Sequence, residues 1–74
     1  MPGYRGHVAA AVDEVCHALA TYGVLTHNGL QEVCHTDRWH DTNLDAVLQD
    51  ARRAGRVRFL LGDLYELTDT ERAA

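Results

Sequence analysis

Two Cys-His dipeptides, Cys16-His17 and Cys34-His35, with His27 and His40 nearby, are the residues of this chain whose chemistry first suggests a site. Thiolate and imidazole are the usual zinc ligands. The spacing argues against that use. Neighbours on a helix point about 100° apart, so both members of one dipeptide rarely converge on one ion. The Cys-x-x-Cys start of a structural zinc site is also missing. The pattern fits two buried thiols and two solvated imidazoles better, and a redox disulfide would need Cys16 and Cys34 to meet where two helices cross. The five histidines are scattered, which favours solvated surface over a pH switch. Trp39, between Arg38 and His40, is expected to pack over the core's edge, with a stacking or phosphate-side role as the alternative. There is no phosphate loop, nucleophile motif or metal-plus-carboxylate signature. The expectation is no catalytic residue, no metal, no cofactor and no enzyme.

A second group has different chemistry. Thr42, Asn43, Gln49 and Arg53 are hydrogen-bonding side chains within twelve positions of one another, and Arg38, Arg56 and Arg58 flank them. Asn and Gln match adenine edges, and Arg matches guanine or phosphate. Whether they can act together depends on the elements that carry them.

Residues 1–6 hold one Pro and two Gly and read as a flexible leader. Val8, Val12, Val15, Cys16, Leu19 and Tyr22 recur at three and four residues, which predicts a helix over 7–22 ended by Gly23. Val24-Leu25-Thr26 is a short apolar step. A second helix starts at Thr26 or Asn28, carries Leu30, Val33 and Cys34 inward, and stops near His35. After a polar link, Thr42 is the expected cap of a third helix, with Asp45 at the capping-box position and Gly55 closing it. Leu44, Val47, Leu48 and Ala51 share its inner face, leaving Thr42, Asn43, Ala46, Gln49 and Arg53 outside. The period then changes: Val57, Phe59 and Leu61 alternate with Arg56, Arg58 and Leu60, Gly62-Asp63 marks a turn, and Leu64 to Thr68 returns. A hairpin over 56–68 follows, and 69–74 reads as a frayed polar tail.

The run from Leu44 to Thr68 resembles the third helix and wing of winged helix-turn-helix domains. Gly55 ends the helix, Val57 follows, and Tyr65 and Leu67 stand where the family's second wing strand returns. Val24-Leu25-Thr26 resembles the short strand before the family's second helix. The resemblance spans roughly residues 7–68 as one domain. It implies an α+β fold of three helices and a C-terminal β-hairpin wing, and it implies double-stranded DNA as the partner, with the third helix in the major groove.

Composition sets limits on that expectation. The chain is 74 residues, 46% hydrophobic and 24% charged, so it is neither disordered nor low in complexity. A core this small leaves little room for a roofed substrate pocket. Two cysteines are too few for a disulfide-stapled mini-protein, and no segment reads as a signal peptide or membrane span, so a soluble protein of the reducing cytoplasm is expected. The net charge is −4, with seven Arg, no Lys and eleven acids. Asp41, Asp45 and Asp50 lie on or beside the third helix and would repel phosphate. A single copy would neutralise few phosphates, so a homodimer acting as a small transcriptional regulator is the expected form. Leu60, Leu61 and Leu64 at the hairpin tip are the expected dimer or partner surface, unless they pack on the helices. The alternative function is a protein-interaction module using the acidic third helix or that leucine-rich tip.

Overall fold

The computed structural model describes the backbone of residues 3–40 and 42–73 and the side chains of 10–40 and 42–72. Hydrophobic period sets the elements. Helix α1 (Gly3–Tyr22) buries Ala11, Val12, Val15, Cys16, Ala18 and Leu19. It starts four residues before the expected boundary, inside the segment expected as a leader. Extending a formed helix by a turn costs far less than nucleating one, so weak formers such as Gly3 and Gly6 are carried along. Tyr22, expected on the buried stripe, is 60% exposed. It is the last helical residue and rims a cleft between α1 and the next helix.

Gly23 adopts φ 92°, and its N–H donates to Leu19 O at 2.8 Å. This left-handed bend turns the chain into strand β1 (Val24–Thr26). Helix α2 (His27–Cys34) begins at Thr26, whose hydroxyl accepts from Gly29 N at 3.0 Å. Thr26, not Asn28, is therefore its cap. His35 ends α2 in the left-handed conformation, φ 53°, and a 3-10 turn (Thr36–Arg38) leads to half-buried Trp39.

Helix α3 (Leu44–Arg53) buries Leu44, Val47, Leu48 and Ala51, as its period requires. Its cap lies one residue later than expected. Asn43 Oδ1 accepts from Ala46 N at 2.9 Å, while Thr42 stands outside the helix. Asp45 is thereby freed from any capping-box role. Ala54 is the C-cap, and Gly55 follows at φ 77°.

Strands β2 (Val57–Leu60) and β3 (Leu64–Leu67) form the hairpin, and β1 joins as a third antiparallel strand in the order β1-β3-β2. Register separates the two faces. Val57 opposite Leu67, and Phe59 opposite Tyr65 with Leu25 alongside, face the helices. Val24, Glu66 and Arg58 form one row on the outer face, and Thr26, Leu64 and Leu60 another. The strand ends at Leu60, so Leu61 leaves the Val57–Phe59 face expected for it and stands in the turn, 95% exposed. Gly62 and Asp63 complete that turn at φ 79° and 62°.

The segment expected to fray is instead a short helix, α4 (Asp69–Ala73). Thr68 starts it: its hydroxyl accepts from Glu71 N at 3.3 Å and donates to Gly55 O at 2.7 Å. The described residues thus make an α+β unit of four α-helices and one three-stranded antiparallel sheet around a single apolar core. No helix among them is long and apolar enough to cross a membrane.

Candidate nucleic-acid interface

The outer side of α3 is an open polar helix face. Four buried side chains hold the helix from behind, and Asp45, Ala46, Gln49, Arg52 and Arg53 are exposed. The helical period puts Ala46, Gln49 and Arg53 opposite the buried stripe, with Asp45 and Asp50 on its flanks. Gln49 keeps its full amide. Arg53 meets Asp50 through Nη1 at 3.3 Å, a pair exposed on both sides and therefore easily exchanged. Asn43 spends its side-chain oxygen on the cap and retains its amide donors. Thr42 is half-buried, with its hydroxyl 3.5 Å from Asn43 O.

The expected phosphate anchors differ in state. Arg38 is exposed in the turn between α2 and α3, with no acidic partner among the described residues. Arg56 is held between Asp13 of α1 at 2.7 Å and Glu71 of α4 at 2.9 Å. The hydrogen bonds it donates to Glu71 and then to Asp13 raise its pKa further above the ordinary arginine value. Arg58 clasps Glu66 through Nε and Nη2, at 3.0 and 2.7 Å, with Asp69 3.8 Å away. Arg72 of α4 completes the group, 3.5 Å from Glu66 and 3.3 Å from Leu67 O.

Four contacts around α3 and the sheet behind it have no strong signal in the sequence. His27 Nε2 lies 2.9 Å from Asp45 Oδ1, tying the start of α2 to the first turn of α3. Arg52 stacks over the Phe59 ring at 5.0 Å, bracing the end of α3 on β2, and Phe59 meets Tyr65 edge-on at 5.0 Å. Tyr65 donates to Asp63 at 2.9 Å, and burial, then that bond, push its phenol up to about 12. Asp45, read from the sequence as a capping-box residue, carries the contact to His27 instead.

The leucines expected as a partner surface split. Leu61 is almost fully exposed, while Leu60 and Leu64 are half-buried on the outer sheet face with exposed Val24 nearby. The Cys-His dipeptides separate as the period requires: Cys16 and Cys34 are buried, His17 and His35 exposed. Burial raises both thiol pKa values, that of Cys34 to about 11 with Glu14 adding to it, so both are poor thiolates at neutral pH.

In comparisons with protein-family models, curated proteins and solved structures, nothing matches this chain.

Proposed function

We propose that the chain is a winged-helix DNA-binding domain that places α3 in the major groove and acts as a small transcriptional regulator. The observation that carries the reading is the uncovered outer face of α3, where Gln49 and Arg53 stand exposed on a helix packed firmly from behind. Ala46 between them permits close approach, Gln49 suits an adenine edge, and Arg53 suits a guanine edge or a phosphate. Arg38 at the entry to α3 is the nearest exposed anchor. The helix, strand, helix, helix and hairpin order supports the same reading, with β2 and β3 as the wing.

The charge balance makes one copy a weak binder. Asp45 and Asp50 flank the reading face, and Arg56 and Arg58 are engaged within the chain. Two copies on adjacent half-sites would double the available contacts. Selection of bound duplexes from a random pool tests the reading. Enrichment of a defined sequence, lost with Gln49→Ala or Arg53→Ala in a folded protein, is the expected result. Binding of every duplex at one nonspecific level, even at low salt, ends it.

Leu61 supports a second reading, a protein-interaction module that works through the hairpin tip. A leucine 95% exposed at a turn contributes nothing to the core and is available to a partner or a second copy. Leu61→Asp tests this without disturbing packing. Retention of a stoichiometric partner after the change would overturn it.

A further inference from the structure

Helix α4 is attached in an unusual way. Five residues are too few to hold a helix alone. Of its described side chains, Asp69, Thr70 and Arg72 are exposed and Glu71 is half-buried, so no apolar side chain among them anchors it. A cleft lined by Leu19, Ala20, Gly23, Leu67, Glu71 and Arg72 separates it from α1 and β3. What holds α4 is the Thr68 cap and a set of ion pairs: Glu71 on Arg56, Asp69 near Arg58, and Arg72 on Glu66. The Asp69–Arg58 pair is exposed and the other two are half-buried at the carboxylate, so all three remain open to water and are screened by salt. The same pairs occupy Arg56 and Arg58, the two cations at the base of the hairpin.

We infer that α4 is a displaceable electrostatic latch, whose carboxylates stand in for phosphates on Arg56 and Arg58 until a DNA backbone replaces them. The inference rests on the proposed DNA reading. In the closed state three arginines, Arg56, Arg58 and Arg72, face four carboxylates, Asp13, Glu66, Asp69 and Glu71, and the patch repels a polyanion. Neutralising the two α4 carboxylates leaves three arginines against two carboxylates and reverses the sign, and displacing α4 together with Arg72 leaves two against two and abolishes the repulsion. Asp13 remains as an exposed partner of Arg56, and half-buried Glu66 is left shared between Arg58 and Arg72, so phosphates can compete for both arginines. Docking of α4 and contact of the hairpin base with DNA are therefore competing events.

The test compares the full chain with its Asp69→Asn/Glu71→Gln variant, both checked for helical content. The first measurement uses no DNA: an arginine-specific dicarbonyl reagent, with modified sites mapped by mass spectrometry. Faster modification of Arg56 and Arg58 in the variant is expected, and equal rates overturn the latch whatever DNA does. The second measures affinity for a short duplex across a salt series. The variant should bind about 3- to 10-fold more tightly at low salt. Its dependence on salt should steepen by about 1 to 2 in log–log slope, since each added phosphate contact contributes about 0.9. Duplex binding with identical affinity and slope in both proteins overturns the latch and leaves the DNA reading intact. Faster modification in the variant with no duplex binding by either protein overturns the DNA reading, and the competition with it.

Discussion

A single hydrogen bond decides where α3 begins. Asn43 Oδ1 on Ala46 N caps the helix, and Thr42 does not. Asn43→Ala should cost about 1 kcal/mol in chemical denaturation, while Thr42→Ala should cost a few tenths at most. The reverse order would return the cap to Thr42. The sequence pointed to Thr42 because Asp45 stands at capping-box spacing from it; Asn is a slightly better cap than Thr, and the choice turns on backbone dihedrals one residue apart. His27 and Asp45 illustrate a different limit: their contact spans 18 positions, and no periodicity reports a pairing between helices. Tyr65 yields a second prediction at this scale. Its proton stays on to about pH 12 in the fold and leaves near pH 10, the ordinary value, in the unfolded chain. The raised value means its contribution is complete below pH 10 and is lost as pH climbs from there to about 12, on the order of 2–3 kcal/mol. Urea unfolding at stepped alkaline pH should show that fall in the parent protein and a shallower one in Tyr65→Phe.

At the scale of elements, legibility followed the length of the repeating pattern. The inner stripe of α3 and the alternation in β2 and β3 are local, and the structure places Leu44, Val47, Leu48, Ala51, Val57, Tyr65 and Leu67 in the core as they require. Helix α4 was missed because five residues are too few to show a period; its one local signal is the cap spacing of Thr68 and Glu71, and the pair of Glu71 with Arg56, fifteen positions upstream, is not local. Glycine at the end of α3 is a local signal with a measurable consequence. Gly55 sits at φ 77°, and a Cβ there would meet no atom within 4 Å. Gly55→Ala should therefore cost about 1 kcal/mol from backbone strain alone, and Gly55→Asn should recover part of it. Equal stability of all three proteins would remove the left-handed turn from the account. Leu61→Asp, at the opposite end of the hairpin, should change stability by less than about 0.5 kcal/mol, because that side chain has left the core.

For the whole molecule, the balance of charge governs how it can meet DNA. The net charge is −4, so long-range attraction toward a polyanion is absent and any approach depends on one local face. On that face Arg38 and Arg53 are the arginines not engaged with a second element; Arg53 has only its neighbour Asp50. With α4 docked on Arg56 and Arg58, two phosphates neutralised per copy correspond to a log–log salt slope of about −2 for a monomer and about −4 for a pair of copies on one duplex. Affinity measured across a salt series, with stoichiometry from sedimentation, separates these cases. A slope near −4 at two copies per duplex is the expected result for a regulator on paired half-sites. A slope near zero with retained affinity would mean that phosphates play no part, and the exposed hairpin tip around Leu61 would become the better guide to what this fold binds.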